Sequence, residues 1–386
     1  PGEGFALVQA IALSGEVVQI AITGQDAVPV VEVSSETTGL VVAVTPGIAR
    51  EVAEDDAIEL RVTGEEEGYA AFNATTATRT DTPLRDIPQS IQVIPREILE
   101  DQQVFRLNDA IRNVSGVVAS SNGDPRGQRF NIRGFTDSSI LQDGFRVVAG
   151  AANAPFQELS NIERLEVLKG PASILFGSIE PGGVINLVSE QPLSESTYQF
   201  DFRVGNRGLV EPSLDISGPL TADGRLLYRL NALYRREEYF RDFDTDVERF
   251  MISPVISWQM GDRTDITFNF EYIDDQRPAD FGLPAIGDRV ADIPFDRNLS
   301  EPEDRLTAES IRAGYRFEHR FSDNWKVRNA FQFTAYENQF DSASAFTGDF
   351  DESTGDLNRN FISAEANRYT FERRCCIDRG YGGGMG

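Results

Sequence analysis

From about residue 197 to residue 373 the sequence is a succession of long runs in which apolar and polar residues take turns. In Thr264–Ile273 (TDITFNFEYI), Ile266, Phe268, Phe270 and Tyr272 fall on one side of an extended chain, and Asp265, Thr267, Asn269 and Glu271 on the other. Alternation of this kind is what a strand with two different surroundings requires. Val327, Phe331 and Phe333 oppose Lys326, Arg328, Gln332 and Thr334 in the same way, and Tyr228, Leu230 and Ala232 oppose Arg229 and Asn231. Roughly eight such strands fit into the region. Short turns are expected near 219–224, 261–263 and 322–324, and long polar loops over about 235–249, 274–308 and 338–360. A soluble sandwich has no reason to gather all its long loops at one end. A transmembrane β-barrel does, with tight turns on one side of the membrane, long loops on the other, an apolar outer face and a polar lumen.

Eight strands close into a barrel only just wide enough to be filled by side chains, whereas barrels that hold a plug have about 22 strands. Residues 83–192 read as a compact α/β unit too large for the narrower case. SIQVIP is a strand, with Pro95 in the first turn of a short helix, PREILEDQ. LNDAIRNV carries Leu107, Ala110, Ile111 and Val114 at helical spacing and stops at Ser115-Gly116. The expected fold is therefore mixed: a small α/β domain followed by antiparallel transmembrane β-barrel strands, about 8 of about 22, in residues 193–373. Residues 374–386 (RCCIDRGYGGGMG) read as an aberrant tail.

The N-terminal part differs. Residues 1–47 hold short β-rich runs (VVQIAITG, PVVEVSS, LVVAVTP) that suggest a meander of at least three strands, with no helical periodicity before residue 95. Residues 48–82 are acidic, then small and polar, a composition that reads as a flexible linker. Within it Ile58, Glu59, Leu60, Arg61, Val62, Thr63 and Gly64 alternate and suit a peptide that adds a strand to a partner's sheet edge. The chain begins at Pro1, which reads as a missing or processed N-terminus.

Composition removes several function classes. There are 62 Asp and Glu against 36 Lys and Arg, a formal net charge of −26, so no basic surplus exists for a nucleic-acid partner. His319 is the single histidine and Cys375 and Cys376 are adjacent, which leaves no catalytic set and no metal-ligand cluster to expect. Abundant carboxylates raise the idea of a glycosidase, but alternation along lumen-facing strands sets no particular carboxyl separation.

The stretches RTDTPLRDIPQSIQVIPREILEDQ, LNDAIRNVSGV, RFNIRGF, DGFR and IERLEVLKGPASILFGSIEPGGVINLVSEQP occur in this order between about Thr82 and Pro192. Together they resemble the plug domain of TonB-dependent siderophore receptors of the bacterial outer membrane, and residues 197–373 resemble that family's early barrel strands. Residues 58–64 lie where the family carries its TonB box, and resemble its variants in form, with Arg61 a departure. Residues 7–46 resemble the end of an AMIN domain, a periplasmic β-module found ahead of some cyanobacterial receptors of this type. A helix-containing signalling domain is the competing idea.

The resemblance implies import of a ferric siderophore through the cell outer membrane. The TonB energy-transducing protein would engage residues 58–64 on the periplasmic side, and outer-membrane lipid would surround the strands. Hard oxygen donors of the siderophore hold Fe(III), so the protein needs neither metal ligands nor a covalently bound cofactor, and the siderophore is transported cargo. Ligand contacts are expected from two plug loops, with Arg126 and Gln128 in one and Arg146 and Phe156 in or beside the other. Arg133, Gly134, Lys169, Gly170, Pro171, Gly182 and Gly183 are read as structural: the glycines permit tight turns and the arginine is expected to meet acidic lumen residues. A receptor for another chelate such as cobalamin, or a surface β-protein that binds polysaccharide, are the alternatives.

Overall fold

The computed structural model describes residues 69–120, 125–136, 139–147, 155–286, 288–322, 324–344, 350–351 and 353–379, together with the backbone of four strands within residues 5–45.

The α/β unit is built on a five-stranded sheet. Its strands in chain order are β1 (Ser90–Pro95), β4 (Ser139–Gln142), β5 (Phe145–Arg146), β6 (Ile162–Lys169) and β7 (Gly183–Ser189), with the short pair β2 (Val117–Ala119) and β3 (Phe130–Ile132) alongside. The spatial order is β5-β4-β7-β6-β1, antiparallel except between β4 and β7. β6 (IERLEVLK) and β7 (GVINLVS) are buried along most of their length because both of their faces are covered, although β6 carries Glu163, Arg164, Glu166 and Lys169 among its apolar residues. On one face Leu165, Val167, Ile185 and Leu187 pack under Leu99, Leu107 and Ile111 from helices α1 (Arg96–Asp101), α2 (Leu107–Ala110) and the 3₁₀ turn that follows α2. On the other, Leu168 and Val184 meet Ala74, Ala77, Ile87 and Phe176 of α3 (Ser173–Phe176).

The turn into β7 explains its glycines. Gly183 has φ +136, and a Cβ there would land on the Leu168 carbonyl oxygen. A Cβ on Gly182 would strike the Ile132 carbonyl. Pro95 is the N-cap of α1, one position earlier than expected, and LNDAIRNV starts as an α-helix and tightens to 3₁₀ from Ile111.

From residue 197 onward eight strands follow in simple antiparallel order: β8 (Thr197–Val204), β9 (Val210–Pro219), β10 (Leu226–Glu237), β11 (Val247–Gln259), β12 (Thr264–Pro278), β13 (Arg305–Ser322), β14 (Trp325–Ser344) and β15 (Asn360–Arg379). They lengthen from 8 to 20 residues along the chain. The tight and long connections alternate as expected. The strands run further into the expected loops, β12 to Pro278 and β14 to Ser344, since residue-by-residue pairing continues there. Strand β15 passes the expected start of the tail at residue 374 and stays in register with β14 as far as Arg379 opposite Trp325.

This sheet is apolar outside and polar inside. Phe268 is 47% exposed and Phe270 39%, while Glu271 between them and Tyr272 is 6% exposed. Trp258, Phe321 and Trp325 stand exposed beside the tight turns, where a membrane–water boundary favours aromatic rings.

Two expectations are corrected. The first concerns the N-terminal meander, which is instead two separate hairpins, Phe5–Leu13 with Val17–Gly24 and Val30–Glu36 with Gly39–Thr45. The first hairpin continues the long sheet, with Val17–Gly24 paired to β8. The second concerns the linker, expected to reach residue 82. Residues 69–82 lie on the α/β unit, with Ala74 and Thr76 buried. Small side chains with no periodicity can approach a sheet closely, and composition alone could not register that.

Candidate functional site

The long sheet presents its polar face to the α/β unit, and three side-chain networks join them. In the first, Glu158 accepts from Arg249 at 3.2 Å and lies 3.6 Å from Arg235. Arg249 also donates to Asp275 at 2.6 Å and to the Phe156 carbonyl at 3.0 Å. Burial on its own would raise the Glu158 carboxyl, but Arg235 and Arg249 outweigh it and hold the group below the usual range. In the second, Asn231 and Arg229 reach Glu190 at 3.0 and 3.1 Å, and Arg229 also grips Asp215 at 2.7 Å. Burial, with the Asp215 carboxylate adding to it, pushes Glu190 up to about 7 against the pull of Arg96 and Arg229. In the third, Asn161 and Gln142 donate to Glu271 at 2.7 and 3.0 Å, and Arg312 donates to Gln142.

A separate arrangement fastens residues 69–83, hereafter the strap, to the sheet. Glu166 in the middle of β6 is fully buried. Its carboxylate accepts the backbone amides of Thr75 at 2.9 Å and Thr76 at 2.7 Å, the Thr76 hydroxyl at 2.6 Å and Arg164 Nε at 2.9 Å. Asn186 on β7 donates to the Thr76 hydroxyl oxygen at 2.9 Å. Between the strap and the lumen wall is a cavity of about 950 Å³, bordered by Asn73, Thr75 and Arg79 on one side and Thr267, Arg316 and Asn329 on the other.

The residues singled out in the sequence divide into groups. Ile58, Glu59, Leu60, Arg61, Val62, Thr63 and Gly64 lie outside the described residues. Arg126, Gln128 and Phe156 are brought together. Arg126 sits 5.4 Å from the centre of the Phe340 ring, and Phe156 packs into the same cluster with Arg277 3.8 Å above its own ring. Gln128 is buried beside it and accepts from the Gln157 amide at 3.4 Å. Arg146 lies elsewhere: its guanidinium donates to the carbonyls of Phe176 and Ser178, and its amide to Glu372 at 3.2 Å.

Arg133, at φ +53, donates to the Lys169 carbonyl at 3.2 Å, and Lys169 Nζ to Gln92 and Ser115 at 3.1 Å each. The acidic lumen partner expected for Arg133 is not what the described residues supply; its recorded partner is a backbone carbonyl of its own domain. Gly170 and Gly182 close the connection between β6 and β7 through a 2.8 Å amide-to-carbonyl bond, with Pro171 and Gly183 completing the two turns.

Sequence reasoning missed Glu158, Glu166 and Glu190. Alternation had placed Arg229, Asn231 and Glu271 on the polar face, but it does not say which group of the α/β unit each would meet.

Residues 83–184 match the family model described as "TonB-dependent Receptor Plug Domain". The α/β unit is a TonB-dependent receptor plug domain. The chain is 36% identical over 274 residues to the metal-pseudopaline receptor CntO of Pseudomonas aeruginosa, which covers 70% of this chain and 38% of that protein. It is 29% identical over 275 residues to the ferrichrome outer membrane transporter/phage receptor of Escherichia coli K12, covering 68% and 37%. Among solved structures, the siderophore receptor PiuA from Acinetobacter baumannii superimposes with TM-score 0.72 at 23% identity, over 83% of this chain and 46% of that one. The fold is thus a plug domain with the antiparallel strands of a TonB-dependent receptor barrel. The chain spans under two fifths of the length of these two curated relatives.

Proposed function

We propose that this chain is part of an outer-membrane receptor that imports a ferric siderophore by TonB-coupled active transport, a transporter and not an enzyme. The observation that carries the reading is the plug domain seated against the polar face of a sheet whose other face is apolar, tied to it through Glu158, Glu190 and Glu271. A closed passage that opens on demand needs such an arrangement: a removable obstruction in a polar lumen, with lipid outside. The matched relatives carry names of receptors and transporters for metal chelates, which supports a chelate as cargo.

Within this reading residues 58–64 are the TonB box, which pairs by strand addition. Residues 1–47, expected as the end of an AMIN module on the periplasmic side, keep that reading only for the second hairpin, Val30–Glu36 with Gly39–Thr45, since Val17–Gly24 pairs along β8 in the long sheet. Arg126, Gln128 and Phe156 form one side of the chelate site, where cationic and aromatic groups meet at the mouth of the lumen. Arg146 contributes through the shape of its loop, its donors being directed at carbonyls. The test is uptake of radiolabelled ferric chelates, cobalamin among them, by cells that carry the full-length receptor, after confirming that it fractionates with outer membranes. Saturable, TonB-dependent uptake of a siderophore supports the reading. Uptake that survives loss of residues 58–64 refutes the box.

A further inference from the structure

We propose that Glu166 is a positioning residue that latches the strap onto the plug sheet. Breaking the hydrogen bonds of this one carboxylate frees residues 69–83 while the rest of the plug stays fixed to the wall.

The argument rests on where the fastenings fall along the chain. Every tie of the three networks to the wall described above comes from plug residues between Gln142 and Glu190. The strap precedes all of them. Its recorded tie to the wall is the Arg328 guanidinium on the Arg79 carbonyl, and its own strand pairing is two residue pairs, Asn73 with Pro83 and Ala74 with Thr82. Tension arriving from residues N-terminal to the strap therefore reaches the Glu166 contact before it reaches any anchored strand.

That contact is strong and concentrated. Charge-assisted hydrogen bonds in a dry site are worth more than neutral ones, and both strap amides end on the same carboxylate as the Thr76 hydroxyl. Once they part, little apolar surface holds the strap, whose buried side chains there are Ala74, Thr76 and Ala77. Asn73, Thr75, Thr76 and Arg79 of the strap border the 950 Å³ cavity opposite Thr267, Arg316 and Asn329 of the wall, so lifting the strap enlarges that space while the strands of the plug sheet stay paired.

The latch deepens the TonB-coupled reading, but its test does not need transport. Hydrogen exchange would be followed in the full-length receptor in lipid vesicles, comparing wild type with Glu166→Gln and Thr76→Val. Glutamine keeps the size of the side chain and removes the charge. The amides of Thr75 and Thr76 should then exchange roughly tenfold faster or more. The amides of Leu165, Ile185 and Leu187 should keep their wild-type rates. Thr76→Val should give a smaller acceleration confined to the same two amides, and it carries the test alone if Glu166→Gln does not fold. Unchanged rates at Thr75 and Thr76, or equal acceleration across the sheet, would overturn the latch. A receptor that imports its chelate without residues 58–64 would remove the TonB coupling and leave the latch standing. Unchanged exchange would remove the latch and leave the coupling.

Discussion

The plug sheet and the long sheet use the same alternating backbone and bury opposite residues. In the plug, Leu165 and Val167 have no exposure and lie in an apolar core. In the long sheet, Phe268 and Phe270 are outside, and Arg249, Glu271 and Arg312 are inside. The hydrophobic effect acts on both regions; what differs is the medium on each side of the strand. A plug strand removes apolar groups from water by folding onto its neighbours. A long strand leaves them for lipid and turns its polar groups toward the plug and the lumen.

Four substitutions test that contrast, taken from the largest effect to the smallest. Leu165→Ala should destabilise the plug by about 2–5 kcal/mol through the cavity it leaves. Protease resistance of the plug in intact vesicles would fall, while the long sheet keeps its circular dichroism. Phe270→Arg, near the middle of β12, should cost about 2–4 kcal/mol when the protein is folded into lipid. If denaturant titration in bilayers shows no loss, the outer face of β12 does not meet hydrocarbon. Glu190→Gln probes the seam between the regions. A carboxyl whose native pKa is raised binds more protons folded than unfolded, so its contribution is present at low pH and declines as pH rises from about 4.5 through about 7. Plug stability should fall over that window with a slope of at most about 1.4 kcal/mol per pH unit, and the glutamine variant should flatten it. Glu158, held low, works in the opposite sense and gives way only as acid protonates it. Arg112→Ala removes an exposed pair with Asp109 at 2.9 Å and should change stability by under about 0.5 kcal/mol. A larger change there would mean that the surface of α2 and the 3₁₀ turn after it touches something beyond water.

Legibility in the sequence followed the range of the interaction concerned. The long strands, the tight turns between them and the break at Pro181-Gly182-Gly183 are local: each depends on residues within a few positions, and each could be read from the letters. The boundary of the linker was not legible because Ala74, Thr75 and Thr76 have no pattern of their own. They are held by a carboxylate about 90 positions away. Arg133 and Gly134 were legible as structural through the RFNIRGF motif, but the φ of +53 at Arg133 and its carbonyl partner were not. The same holds for Arg146, which has the charge expected of a ligand contact and is committed to backbone carbonyls instead.

By itself, then, the sequence determined the two kinds of strand and the medium each must face, because alternation and turn chemistry are local properties that the backbone enforces everywhere. Only the tertiary structure decided which charges meet. Glu158 finds Arg249 and Glu190 finds Asn231 and Arg229 because folding the plug against the wall removes those groups from water, and Glu166 finds the strap because the strap covers it; each then needs a partner within hydrogen-bond reach.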